Sequence, residues 1–500
     1  MKRFPTLLAA MLAIASCTPS ASRQEAWGTF TNPILGGDYP DPSIMREGED
    51  YYLTNSSFDY NPGLIVFHST DLVNWEPISC ALKTYLGSVW APDISKVGDE
   101  YRIYFTVHGH GNWVVTASSP YGPWSDPVDL HVNQIDPCPA FEDGQGWLFL
   151  SGGNRIKLTP DGMDTVPGTF EHVYDGWIYP EEWITEGMCL EGPKLKKIGP
   201  WWYFISAEGG TAGPPTSHMV AVARAKTLDG PWENSPVNPL VHTYNDIDRW
   251  WSRGHGSLID TPDGRWYIVY HAYENGYTGL GRQTLLEPVE LGEDGWFHPV
   301  KGLDIAGPMP LPLPSSGTID RKARLGEFRV GLDWKYYKDF DPSRATVGDG
   351  VLTLKCTGTS PADSAPLMFV AGDHAYEFSA EIDMSPGAIA GLVLYYDSDF
   401  YAGAGCNATN TFRYRKDKGQ RGDAHGGDCH LWLKVRNDHQ VVTGYTSQDG
   451  VNWHKMNWGH EISGYNHNTC YYFQSVLPGL MAAGEGEVRF SNFKYTKLAD

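Results

Sequence analysis

No CxxC pair, no cysteine or histidine cluster at metal-ligand spacing and no apolar run long enough for a typical membrane-spanning helix occurs in this chain of 500 residues. Setting Cys17 aside, the cysteines are Cys80, Cys138, Cys189, Cys356, Cys406, Cys429 and Cys470. This odd, scattered set excludes a disulfide scaffold, although one bridge, for example Cys406 to Cys429, stays open beside buried free thiols. Positive charge is also scarce. With 38 Lys and Arg against 60 Asp and Glu, the formal charge is −22, a field that repels nucleic acid and anionic membrane and leaves a neutral partner as the best fit.

What is abundant points one way. The 56 Gly, 35 Pro and 19 Trp suit many short strands joined by tight turns, so an all-β architecture is expected. The length exceeds what one hydrophobic core usually serves, which makes two domains the expectation. The N-terminus reads as a signal rather than as fold: Lys2 and Arg3 precede an apolar run from Leu7 to Ile14. It ends in Ile14-Ala15-Ser16-Cys17, which is similar to a bacterial lipobox with Cys17 as the lipidated residue; an ordinary signal-peptidase site is the alternative. Both readings export the chain, to the bacterial periplasm or as an outer-membrane lipoprotein whose only membrane contact is the lipid on Cys17.

A recurring phrase organises the next 280 or so residues. It opens on a polar or Pro-containing start, continues through apolar alternation and a Gly or Asp turn, and closes on an aromatic strand. The copies are DPSIMREGEDYYLTNS from Asp41, APDISKVGDEYRIYFT from Ala91, DPCPAFEDGQGWLFLS from Asp136, EGPKLKKIGPWWYFIS from Glu191 and HGSLIDTPDGRWYIVYH from His255. A weaker phrase follows several copies, as in STDLVNWEP, SSPYGPWSDP and AKTLDGPWENSP. Two strands from each phrase give four, a propeller blade, so residues 27–305 are expected to form a five-bladed β-propeller with the phrase starts around one channel. The Pro-rich stretch within 306–326 reads as a stiff linker over the surface. Residues 327–500 alternate without helical period and read as an antiparallel β-sandwich.

Three of the five starts carry acids, Asp41, Asp136 and Glu191. Hydrolysis of a glycosidic bond needs two carboxyl groups in opposite protonation states, and acids converging on one channel supply that difference. Asp41 stands between Pro40 and Pro42, which restrict its backbone. Each acid alone could be an ordinary turn residue. Glu181, Glu182, Glu142 and Asp143 are expected as solvated surface groups, and Asp93 is a weaker candidate.

The motifs NPILGGDYPDPSI, VWAPDI, IDPCPAFEDG, LEGPKL, RGHGSLI and GRQTLLEPVEL together resemble glycoside hydrolase family 43, in its two-domain β-xylosidase and α-L-arabinofuranosidase branch. The resemblance implies an inverting mechanism with Asp41 as general base, Asp136 as the carboxylate that tunes the acid and Glu191 as general acid. It also implies a concanavalin-like jelly roll after the propeller. His255 would lie beneath the sugar, or be a satisfied core histidine; Arg282 would reach the sugar, or form a blade-edge salt bridge. Phe58, Trp75 and Trp90 would wall the pocket. Lys194 stands where many relatives have His. Cys138 and Cys189 are placed by strand alternation on the side of the neighbouring acids, as packing or as a bridge. No metal or cofactor is required, although a channel calcium is compatible with the resemblance. The activity implied is exo-release of β-D-xylose from xylo-oligosaccharides; the alternatives are an α-L-arabinofuranosidase and a non-catalytic glycan-binding propeller.

Overall fold

Each phrase folds as a hairpin because a turn at Gly or Asp divides two runs of alternating apolar residues. In a computed structural model, which describes residues 27–315, 317–338, 341–416, 418–425 and 429–499, these hairpins open five antiparallel sheets. Each sheet has four strands, and the fourth gains Val241–His242 on its third strand. The first strands are Ser43–Glu47, Val89–Val97, Cys138–Glu142, Glu191–Ile198 and Trp250–Asp260. Each packs on the first strand of the next sheet, and the fifth packs on the first, closing a ring about one axis. The result is a five-bladed β-propeller. Residues 1–26, which contain the expected signal segment and Cys17, lie outside the described residues.

The weaker phrases are the connectors between third and fourth strands, for example from Ser69 to Glu76. In that connector Asp71 accepts from the backbone N–H groups of Val73 and Asn74, and Trp75 donates from Nε1 to Leu72 O. Trp75 is 2% exposed and packs with Tyr51, Phe67, Ile259 and Tyr267 between blades one and five. It therefore does not wall the pocket. The reason is topological: a connector after the third strand lies at the end of the blade opposite the phrase start.

The Pro-rich stretch is not only a surface link. Met309–Pro310 pairs with Thr29–Phe30, and Met309 and Leu311 are buried in the core of blades one and five. Asn32 exchanges two hydrogen bonds with the backbone of Leu286. Beyond it, two large antiparallel sheets share one core around Trp334, Phe378, Leu392, Leu433 and Phe490. One of them continues into the propeller, because Tyr336 and Tyr337 pair with Asn61 and Tyr60. A second junction is the loop 471–476. Tyr396 Oη donates to the carbonyls of Tyr471 and Tyr472, Gln474 Nε2 reaches Asp59 Oδ2 at 2.9 Å, and Val476 N–H reaches Gly279 O at 2.9 Å.

Candidate active site

The phrase starts converge as expected. Asp41, Asp136, Glu191 and His255 line one pocket together with Phe58, Trp90, Ala91, Ile135, Thr211, Arg282 and Phe473. Its open space, mouth included, is about 350 Å³, at the small end of the roughly 300–1,000 Å³ of ligand sites and suited to one sugar ring. Asp41, Phe58, Ala91, Asp136 and His255 all have φ between +34° and +61°, a left-handed backbone that costs energy in non-glycine residues and gathers at functional sites. For Asp41 this goes further than its flanking prolines indicated. The carboxylate is aimed inward by a tight bend, not carried on an extended strand.

Asp41 is held from three sides. Arg282 Nη1 lies 2.9 Å from Oδ1, Ser56 Oγ donates to Oδ2 at 2.5 Å, and the backbone N–H of Asp41 donates to His271 Nδ1 at 3.1 Å. Burial alone would raise its pKa, but the charge beside it, Arg282 foremost, outweighs burial and holds the carboxyl well below the usual carboxylate range. Burial pushes His255 down to about 3 and His271 to about 4, so both imidazoles are neutral near neutral pH. His271 Nε2 lies 3.2 Å from Thr211 Oγ1.

Asp136 and Glu191 behave as a pair. Burial is the largest influence on both; it raises Asp136 to about 6, helped by the charge of Asp41, and lifts Glu191 well above its ordinary value, helped by Asp136 and then Asp41. Hydrogen bonding decides which one carries the proton. Asp136 Oδ2 accepts from Gly192 N–H at 2.8 Å and Ser151 Oγ at 3.3 Å, whereas among the described residues no donor reaches the Glu191 carboxyl. The negative charge therefore rests on Asp136 and the proton on Glu191. Gly192 has φ +58°, and a Cβ there would stand 2.9 Å from His255 Nε2, so glycine is required for this close approach.

The other expected residues divide. Phe58 and Trp90 wall the pocket with ring centroids 6.2 Å apart, while Trp75 is core. Arg282 reaches Asp41 rather than forming a blade-edge pair. Glu181 and Glu182 are exposed, and Glu142 is tied to Lys197 and Trp202 Nε1 away from the channel. Lys194 does not line the pocket. It spans the channel to blade two, with Nζ 2.9 Å from Asp93 Oδ2 and 3.0 Å from Pro92 O, and its charge favours ionised Asp136. Cys138 is buried and accepts from Leu195 N–H; Cys189 is exposed; both are free thiols, as are Cys406 and Cys429. Neither Cys138 nor Cys189 faces the pocket, because the left-handed turns at Asp136 and Cys189 break the alternation on which that placement rested.

Sequence reasoning missed Ser56, His271, Thr211 and, above all, Phe473. Arg282 lies between two rings, its guanidinium carbon 5.3 Å from the centroid of Phe58 and 5.2 Å from that of Phe473. The C-terminal part of the chain thus covers the cation that holds Asp41. Ser56 and His271 are the last residues of the first and fifth phrases, within reach of a closer reading; the sequence around Phe473 carries no comparable signal.

As direct calcium ligands these groups fit poorly. The clusters Asp41, His255, His271 and Glu191, His218, His255 each offer one carboxylate and two imidazole nitrogens, whereas calcium takes six to eight oxygens, and Arg282 already occupies the Asp41 oxygen.

A one-sugar pocket holding an ionised carboxylate and a protonated one is the equipment of a glycoside hydrolase. The chain belongs to glycosyl hydrolases family 43, whose model matches residues 30–297. It is 35% identical to the non-reducing end alpha-L-arabinofuranosidase BoGH43B of Bacteroides ovatus over 66% of this chain and 65% of that one. It is 32% identical to the xylosidase/arabinosidase 43B of Humicola insolens over 73% and 74%. Among solved structures, the GH43 protein BlXynB of Bacillus licheniformis superposes with a TM-score of 0.83 at 28% identity, covering 94% of this chain and 100% of that one.

Proposed function

We propose that the protein is an exo-acting, inverting glycosidase that releases β-D-xylose from the non-reducing ends of xylo-oligosaccharides. The observation that carries this reading is the division of charge in a pocket for one sugar, Asp41 ionised and Glu191 protonated. Asp41 takes a proton from water as the water oxygen bonds to the anomeric carbon. The bond from that carbon to the leaving oxygen breaks, and Glu191 gives that oxygen its proton. Asp136, negative beside Glu191, keeps the acid protonated until the leaving oxygen becomes the stronger base. Inversion requires the Asp41 and Glu191 carboxyls to stand about 6.5–9.5 Å apart, leaving room for the water. No cofactor enters this scheme.

Phe473 supports exo action, since it adds a third ring to the pocket wall beside Phe58 and Trp90 and so narrows the space to one sugar. The names of the relatives favour a second sugar equally, so release of α-L-arabinofuranose from arabinoxylan fragments is the alternative with the same machinery. The two C-terminal sheets fit a β-sandwich of jelly-roll type whose role is to deliver Phe473. Export and anchoring through Cys17 would place the enzyme in the periplasm or on the outer membrane, where such oligosaccharides arrive from outside.

Real-time proton NMR with an arabinoxylo-oligosaccharide tests the reading. α-Xylose appearing first is the expected result. Arabinose would select the alternative, β-xylose first would overturn inversion, and no release between pH 5 and 8 would leave a glycan-binding propeller. Glu191→Gln should lose roughly a hundredfold or more in turnover while still binding sugar.

A further inference from the structure

Two loops enter the acid-bearing face from the same side. One, residues 173–190, joins the last strand of blade three to Glu191; the other, residues 243–249, leads into the first strand of blade five. Where they meet, Trp183 lies flat on His242, centroids 4.3 Å apart and planes 4° apart. Tyr244 and Trp177 stand edge-on to Trp183 at 88° and 71°. His242 is itself fixed, its Nε2 2.8 Å from Thr216 O. The indole is thus a rigid plate, and the two loops that carry it expose large apolar side chains to water: Tyr244 is 64% exposed, Ile178 87% and Ile247 84%. Apolar area of this kind marks a binding surface.

Its position indicates what it binds. Glu186, three residues after Trp183, donates its backbone N–H to Gly209 O and accepts at Oε2 from Ala212 N–H at 2.9 Å. Ala212 adjoins Thr211 of the pocket, so the plate sits next to the rim on the side of Glu191. The proton from Glu191 goes to the leaving oxygen, so the leaving part of the substrate must exit past this rim. Aromatic faces take the C–H faces of sugar rings, and the exposed carboxylates of Glu181 and Glu182 can accept from ring hydroxyls.

We propose that Trp183, stacked on His242, is a platform for a sugar of the leaving-group chain, and that the natural substrate is a chain of several sugars and not a disaccharide. This inference rests on the glycosidase reading of the pocket. The test compares the native enzyme with Trp183→Ala on an aryl β-xyloside, which fills only the pocket, and on xylohexaose; an aryl arabinofuranoside and an arabinoxylan hexasaccharide replace them if arabinose is the sugar released. The expected result is a loss of kcat/KM of about fivefold to tenfold on the hexasaccharide, unchanged hydrolysis of the aryl glycoside and an unchanged sedimentation coefficient. Equal losses on both substrates, no loss on either, or a shift in sedimentation showing that the face is buried between two copies would overturn it. Should the native enzyme cleave neither substrate, the glycosidase reading fails on its own. Electrophoresis through gels containing arabinoxylan still decides the platform: native protein retarded more than Trp183→Ala supports it, and equal mobility refutes it.

Discussion

Replacing Arg282 with Met removes the cation 2.9 Å from Asp41 Oδ1 and keeps much of the side-chain volume between Phe58 and Phe473. At an effective dielectric constant near 20, opposite charges at that separation attract by about 6 kcal/mol before the remaining donors are counted, so loss of the cation should raise the Asp41 carboxyl strongly. Asp136 supplies an internal reference. It is a buried carboxyl in the same pocket without an arginine partner, and it stands at about 6. Asp41 in the variant should rise in the same direction, opposed mainly by the hydrogen bond from Ser56. In the native enzyme the base stays ionised, so the acid limb of kcat/KM is expected near pH 6, where the Asp136 and Glu191 pair takes up its second proton. In the variant two groups titrate there; the limb should steepen and move alkaline by roughly half a unit to one unit. Arg282 also lowers Glu191, so the alkaline limb should move the same way. The assay is the pH dependence of kcat/KM on an aryl glycoside. A uniform fall in rate with both limbs in place would refute the reasoning, because Arg282 would then act only by holding sugar. Stability gives a second check. The folded-state pKa of Asp41 lies below its unfolded value near 3.9, so the pair stabilises the fold above about pH 4 and loses that contribution as pH falls through the folded value. The melting difference between native and variant should therefore be largest near neutral pH, with a cost of about 3–5 kcal/mol, and shrink in acid.

Phe473→Ala should raise KM about tenfold and admit bulkier substrates, measured by comparing aryl xylosides of increasing size, since it uncovers one face of Arg282. Gly192→Ala should cut kcat/KM at least roughly tenfold with circular dichroism unchanged, because the added Cβ presses on His255 and shifts the N–H that Asp136 needs; near-native activity would show that this contact yields. Trp75→Ala should destabilise by about 3–5 kcal/mol in denaturant titration and leave KM unchanged; a change in KM with stability intact would return Trp75 to the pocket.

Local pattern carried most of the architecture. The hairpin phrases were legible because each needs only alternation and a turn, and their equal starts had to gather once the blades closed. The family resemblance misplaced Trp75, since a phrase that follows a strand pair lies at the far end of the blade from the phrase that opens it. Local pattern itself read residues 306–326 as surface, because prolines mask the two apolar side chains, Met309 and Leu311, that close the ring against Phe30. Strand alternation failed at Asp136 and Cys189, where the left-handed turns that aim the acids also reverse the side chains beyond them. Phe473 was illegible for a different reason. Its role depends on how Gln474 and Val476 dock on Asp59 and Gly279, contacts between segments roughly two hundred or more residues apart.

The junction that carries Phe473 bears on when the protein becomes active. Synthesis delivers Asp41 first, the remaining acids next and the loop at 471–476 long after them, and domains generally fold in the order in which they emerge. A nascent or prematurely ended chain can therefore hold a closed ring of blades and all three carboxyls while Arg282 still has one bare face and the pocket lacks one ring of its wall. The pocket then takes its final width only once the C-terminal sheets have docked, so selectivity for a single small sugar matures after the three acids are already in place.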